Sequence, residues 1–193
     1  MTLSVAEAIS SRRATRKYTD EVPSPELLDR VVSLALEAPS AFNAQQRDLV
    51  VVTDQDVKQK LFEASGQHQF LDAPVVFVTV ARVENEPQDL ADLIGPERAQ
   101  HIGGFLITRS VEKAREATIK DATLLAAFVL IAAQGEGLAT SPTTGWDEEK
   151  VKEAIGLGGR EDRAIALVIA AGFPAEKPAH PGRSLDRRVN NHY

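Results

Sequence analysis

The chain has no cysteine. Disulfides, thiolate nucleophiles, iron–sulfur clusters and zinc–cysteine centres are therefore excluded by inventory. Aromatic residues are scarce, with one Trp, two Tyr and seven Phe in 193 residues. Ala, Leu and Val carry the apolar load instead, which suits close packing of helices. No uninterrupted run of about 18 apolar residues is present. The longest candidate, Leu124 to Ala133, is too short to cross a bilayer. The opening MTLSVAEAISSRR lacks the long apolar core and small-residue cleavage site of a secretory signal. These absences predict a cytoplasmic protein with no membrane partner. Cations are also in deficit: 22 Lys and Arg against 28 Asp and Glu leave a formal charge of −6. A nucleic-acid partner would call for a basic surface, so that class is set aside. The four His, at 68, 101, 180 and 192, show no ligand spacing, and no metal site is expected.

What remains is 43% apolar and 26% charged, the balance of a soluble globular chain. At this length roughly 70% of the unfolded surface becomes buried. One domain over residues 1–193 is expected.

Helix signals are strong at several points. Ser4 to Glu7 reads as a capping box ahead of a short helix ending near Arg12. Ser24-Pro25-Glu26 supplies an N-cap, a Pro at N1 and a first-turn acid. Apolar residues at helical spacing follow, and Pro39 should stop this helix near Ala38. Asp54 to Ala64 reads as a surface helix. Ser110 opens a long helix to about Gln134, charged in its first half and apolar all round in its second. A helix of that second kind must be surrounded by protein, as a central helix or at a subunit interface. Asp147 caps a further helix to about Ile155. Buried strands are predicted at 49–52, 75–80 and 165–171, with a short extended segment and turn at 139–145. Residues 83–108 are broken by Pro87, Pro96 and Gly103-Gly104 and should hold one or two short helices. The tail from Phe173 has little periodicity. Five or six helices with three or four strands, not regularly alternating, indicate an α+β fold: a central sheet packed by helices.

Three clusters could carry chemistry, and each has an ordinary reading too. Arg12-Arg13-Ala14-Thr15-Arg16-Lys17 holds four cations in six residues of an acidic chain. Arginine forks match phosphate oxygens, but cations also suit a helix C-terminus. Pro39-Ser40-Ala41-Phe42-Asn43-Ala44-Gln45 is a polar loop or simply a helix-to-strand connection. Pro142-Thr143-Thr144-Gly145 is a turn whose N–H groups could face a ligand, or a tight turn alone. Gly156-Leu157-Gly158-Gly159 lacks dinucleotide spacing and reads as a helix end and loop.

Taken in order, these clusters resemble the nitroreductase family. The basic stretch after the first helix, the Pro-Ser-x-x-Asn-x-Gln segment at 39–45 and the Gln-rich turn Gly66 to Pro74 all match its pattern. So do the long apolar helix, Gly137-Leu138-Ala139-Thr140, the 142–145 turn, Gly172-Phe173-Pro174 and Arg183-Ser184-Leu185-Asp186. The resemblance implies an intertwined homodimer with a central mixed sheet and two FMN sites across the interface. It implies that Arg12 and Arg183 grip the FMN phosphate, with Ala14 beside it, and that Arg13 lies along the ribityl chain. Arg16 would sit near N1 and O2 of the ring, where a cation eases reduction. Gln67 and Gln69 would bond the pyrimidine edge. Pro39, Ser40, Ala41 and Asn43 would come from the partner protomer. Pro142 and Thr143 would cover one ring face, with the N–H groups of Thr144 and Gly145 near N5. The implied activity is ping-pong transfer from NADH or NADPH to nitroaromatics, quinones or a similar small-molecule electron acceptor, with no catalytic side chain required. The alternative is a flavin-binding protein that senses, stores or consumes flavin without acting as an NAD(P)H reductase. There are departures from the pattern. Ala14 replaces a phosphate-binding Ser, leaving Thr15 or backbone to compensate, and Thr144 and Arg47 also differ.

Overall fold

The computed structural model describes residues 3–192, without the side chain of Leu185 in the tail motif. Twelve helices and strands of regular structure follow one another in the order α1 (Val5–Ser11), α2 (Pro25–Leu36), β1 (Arg47–Val52), α3 (Gln55–Ser65), α4 (Gln69–Asp72), β2 (Val75–Arg82), α5 (Leu90–Ile94), α6 (Pro96–Leu106), α7 (Val111–Gly135), β3 (Ala139–Thr143), α8 (Glu148–Ala154) and β4 (Arg163–Gly172). The helix starts are those the capping residues dictate. Ser4 and Glu7 form a reciprocal capping box on α1, and the Ser24, Asp54, Ser110 and Asp147 side chains accept N–H groups of α2, α3, α7 and α8. α4 is a single turn within the segment expected to be only a turn, too short for any periodicity to show.

The sheet has the order β1-β2-β4-β3, and every strand pairing is antiparallel. The mixed character expected of it is confined to one parallel bridge, between Ala14 and Thr140. β2 shows no polar alternation because both of its faces are covered. Val76, Val78 and Val80 pack towards α3 and α8, with Leu61, Val151 and Phe70. Val75 and Phe77 pack towards α2 and α7, with Val31, Leu125 and Val129. The result is α2 and α7 on one face of the sheet and α3 and α8 on the other. Each fully buried Val or Phe here contributes roughly 1.5–3 kcal/mol. A bulge between Thr79 and Val80 is filled by the fully buried Thr79, whose Oγ1 accepts the Leu167 N–H at 3.1 Å.

Gly172 closes β4 against Pro74 and Tyr18. A Cβ there would lie 2.6 Å from Pro74 Cδ and 3.1 Å from Tyr18 Cδ1. Gly172→Ala should therefore lower unfolding stability by roughly 1–3 kcal/mol through overpacking, read as a fall in denaturation midpoint. A midpoint equal to that of the parent would refute this close packing.

The far ends of β2 and β4 carry an ion network. Arg82 meets Asp89 at 2.6 Å and Glu84 at 3.0 Å, Arg163 meets Glu84 at 2.6 Å, and Asp162 lies between Arg160 and Arg163. The Arg160 hydrogen bonds hold the Asp162 carboxyl at about 2, well below its usual 3.8. A depressed carboxylate stabilises the fold above its unfolded value, and that contribution disappears as pH falls from 3.8 to about 2. Melting curves of Asp162→Asn should therefore lie below those of the parent near neutrality and merge with them near pH 2. Parallel curves across that window would exclude the ion network as the cause.

α7 is long, but among the described residues no helix is long and apolar enough to cross a membrane. Its apolar half is not fully surrounded. Leu124 and Phe128 are 43% and 38% exposed. With Val5 and Ile9 of α1 and Leu34 of α2, Phe128 borders an apolar groove of about 500 Å³.

Candidate functional site

At the C-terminus of α1 the chain turns extended at Arg12 (φ −57°, ψ 129°). It then runs along the free edge of β3, where Ala14 bridges Thr140 and the Thr15 N–H reaches Thr140 O at 3.0 Å. Thr15 is buried, and its N–H is committed to Thr140. Side chains alternate along this stretch. Arg13 and Thr15 line a polar groove with Glu176 and His180, whereas Arg12, Ala14 and Arg16 do not.

The half-buried Arg12 presents a buried Nη1 without a hydrogen-bond partner among the described residues. Burial, then the charges of Arg183 and Arg13, make its guanidinium cation less favourable than usual. Arg183, from the tail, is therefore close enough to be felt by Arg12. Its own Nη1 donates to Gly182 O at 2.6 Å. Arg13 Nη1 serves the Ser10 and Arg12 carbonyls at 2.8 and 2.7 Å. None of Arg12, Arg13, Arg16 or Arg183 forms an ion pair among the described residues. The tail is brought here by pairing with residues 17–19: Ala175 N–H to Lys17 O, Thr19 N–H to Phe173 O, and Glu176 accepting the N–H groups of Arg16 and Lys17 at 2.7 and 3.2 Å. Glu176 was not singled out in the sequence, since a lone acid in an irregular tail carries no signal.

A second part of the site lies at the end of β3. α3 stops at Gly66 (φ +68°), and the Gln67 N–H is held by Ser65 Oγ. Gln69 is buried, and its Nε2 donates to Gln67 Oε1 at 2.9 Å and weakly to Thr143 Oγ1 at 3.4 Å. Pro142 and Thr143 are half-buried, whereas Thr144 and Gly145 are exposed. The turn is pinned beyond Gly145, where Trp146 packs into the core and the Asp147 N–H reaches Ala64 O.

The loop 39–45 lies elsewhere. It leads into β1, at the opposite edge of the sheet from β3. Three strand spacings of about 4.8 Å put those edges roughly 14 Å apart. Its own contacts are to α6 and α7: Phe42 meets the Phe105 ring edge-on at 5.6 Å, and the Ala41 N–H bonds the Asp121 carboxylate. Within one chain, then, Arg12, Ala14, Arg16 and Arg183 share a region with the Gln67–Gln69–Thr143 group on the β3 side. Pro39, Ser40, Ala41 and Asn43 do not join them.

Phe42, Asn43 and Gln45 have φ of 58°, 57° and 48°. Left-handed non-glycine residues cost roughly 1–3 kcal/mol each and persist only when surrounding contacts over-determine them. The contacts are specific. Arg47 donates to the Leu36 and Ala38 carbonyls, Ser40 Oγ accepts the Gln45 N–H, and Asp121 holds Ala41. Asp121 and Arg47 went unrecognised in sequence as supports of this loop. The available sign was only that Asp121 is the last charge before the apolar half of the helix begins.

Similarity to known proteins agrees with this arrangement. Residues 9–173 match the model of the family described as "Nitroreductase family". The chain belongs to the nitroreductase family. It is 33% identical over 190 residues to an NADH dehydrogenase of Thermus thermophilus, spanning 92% of this chain and 91% of that one. It is 28% identical to an FMN reductase [NAD(P)H] of Bacillus subtilis, spanning 97% of this chain and 72% of the relative. A solved structure from Exiguobacterium sibiricum, assigned as a nitroreductase and in complex with FMN, has the same fold. Its TM-score is 0.83 at 18% identity, over 95% of this chain and 96% of that one. The protein is thus an oxidoreductase of the nitroreductase family.

Proposed function

We propose that this nitroreductase-family protein binds FMN between two identical protomers and uses NADH or NADPH to reduce nitroaromatics, quinones or similar small electrophiles. One observation carries the reading: Arg12 has a buried Nη1 without a hydrogen-bond partner among the described residues, and the charge of Arg183 acts on it. Like charges held together and partly desolvated call for an anion, and a phosphate ester fits an arginine pair. The residues present thus fit FMN. When bound, FMN would accept hydride from the nicotinamide and pass electrons on, which gives ping-pong kinetics.

This chain's residues would hold and orient it. Arg12 and Arg183 would grip the phosphate beside Ala14. Arg16 would offer a charge towards the ring, whereas Arg13, which lines the groove with Glu176 and His180, faces away from Arg12 and Ala14 and is left out of this grip. Gln67 and Gln69, already paired to each other and to Thr143, would read the pyrimidine edge. Pro142 and Thr143 would cover a ring face, with the Thr144 and Gly145 N–H groups nearby. Pro39, Ser40, Ala41 and Asn43 would come from the partner protomer. The distance between the two sheet edges supports that division, and the exposed apolar surface of α1, α2 and α7 supports a homodimer. Solvent would supply protons.

The test is the visible spectrum of the purified protein, followed by anaerobic mixing with NADH and with NADPH. A flavin spectrum that bleaches with either nucleotide and returns on adding a quinone supports the reading. A colourless protein that binds no added FMN refutes it. Bound FMN that neither nucleotide reduces would favour a flavin-binding role instead.

A further inference from the structure

We infer that Asp121 is a positioning residue: from the middle of α7 it takes the Ala41 N–H and so sets how Pro39–Asn43 is presented to the FMN of the partner protomer. This rests on the proposed placement of that loop at the flavin.

The geometry is direct. Both carboxylate oxygens of Asp121 accept from Ala41 N, at 3.1 and 3.3 Å. Asp121 is 7% exposed, so the bond is shielded from competing water. Ala41 opens the 3₁₀ turn Ala41–Asn43, and an N–H at the start of a helical turn has no partner within it. Immediately after it come Phe42 and Asn43, both left-handed, and Gln45 repeats the conformation two residues later. The Asp121 bond is therefore placed at the entry to the strained segment. The charged groups facing Asp121 are Arg47 from β1 and Arg109 from the segment ahead of α7. They offset only part of the cost of burying the carboxylate, whose pKa stays raised because burial dominates, while Arg47 separately ties the Leu36 and Ala38 carbonyls at the loop's beginning. Leu124 stands one helical turn further along α7 and is exposed on the surface proposed to meet the partner. The same helix thus carries the protomer contact and the support of the loop that would reach across it.

The test uses the full-length protein with FMN as probe. Four variants are compared: Asp121→Ala, Asp121→Asn, Ala41→Pro and the double variant Asp121→Ala with Ala41→Pro. Asn keeps an oxygen that accepts the Ala41 N–H, whereas Ala does not. Proline at 41 deletes the donor and leaves Asp121, Arg47 and Arg109 in place. Ser40, at φ −141° and ψ 157°, already has the extended backbone a residue before proline favours. The readouts are amide exchange of residues 39–45 in flavin-free protein, FMN affinity, and visible circular dichroism of bound FMN.

In Asp121→Ala, loop exchange should accelerate, FMN affinity should fall about tenfold, as for one lost charged hydrogen bond, and the visible dichroism should change. Asp121→Asn should stay within about threefold of the parent, since the geometry survives. Ala41→Pro should resemble Asp121→Ala, and the double variant should be no worse than either single one. Loop exchange unchanged in Asp121→Ala would overturn the positioning role. Faster exchange with parental FMN affinity and dichroism would show that the loop does not face flavin, and would sink both the placement and the inference. An Asn variant as weak as the Ala variant would assign the effect to charge and reject positioning. If Asp121→Ala does not fold, Ala41→Pro and Asp121→Asn decide the question by the same readouts.

Discussion

Arg12→Ala should weaken FMN binding by about 10²- to 10⁴-fold while leaving the flavin-free protein no less stable. The magnitude follows from losing two charge-assisted hydrogen bonds to a phosphate, at roughly 1.5–3 kcal/mol each, with about 1.4 kcal/mol per decade of affinity. The second half of the expectation is less usual. Removing a half-buried side chain ordinarily destabilises. Here the guanidinium has a buried nitrogen without a partner among the described residues and feels the charges of Arg183 and Arg13. Arginine does not lose its proton at accessible pH, so the unfavourable charge is carried as strain in the flavin-free state rather than relieved by titration. Neutralising it removes repulsion and desolvation together. Riboflavin supplies the control, because it lacks the phosphate. Its affinity should barely change in Arg12→Ala, so the parent's preference for FMN over riboflavin should shrink by the same factor, with Arg183 keeping what remains. An Arg12 variant that retains that preference would mean that the phosphate is held elsewhere.

The second large effect concerns assembly. Leu124→Glu together with Phe128→Glu should give a folded monomer that does not retain FMN. Both side chains are substantially exposed in the isolated chain, and Glu is a good helix former, so the cost to the protomer is small. In a twofold assembly each substitution occurs twice across one interface. A carboxylate buried there without a partner costs several kcal/mol. Flavin should be lost along with assembly because the two parts of the proposed site stand at opposite edges of the sheet. A lone protomer offers Arg12, Gln69 and Thr143 but not its own 39–43 loop. Sedimentation velocity and the flavin-to-protein absorbance ratio read both outcomes. A monomeric variant that still retains FMN at the parental ratio would show that one chain suffices.

Local structure was legible where the physics is local. The capping residues Ser4, Ser24, Asp54, Ser110 and Asp147 announced five helix starts, since each needs only its own side chain and the next three N–H groups. The apolar run in β2 showed a strand covered on both faces, and the structure supplies those covers from α2 and α7 and from α3 and α8. α4 stayed hidden because four residues hold no periodicity, whereas the one or two short helices expected within 83–108 are α5 and α6. Within the site, Arg12 and the turn at Pro142 stood out by composition and order. Glu176, Asp121 and Arg47 did not, because their partners are backbone groups far away in the chain, from 9 residues for Arg47 to 160 for Glu176.

The amino-acid order alone determined the family pattern, the α+β class and the unusual concentration of cations after the first helix, because capping, periodicity and composition are properties of neighbours. Only the folded chain decided which cations meet, that Arg12 keeps a buried nitrogen without a partner, and that the 39–45 loop stands across the sheet from the β3 turn. Those are long-range outcomes of strand order. A sheet arranged β1-β2-β4-β3 separates segments that the sequence motifs present as one set.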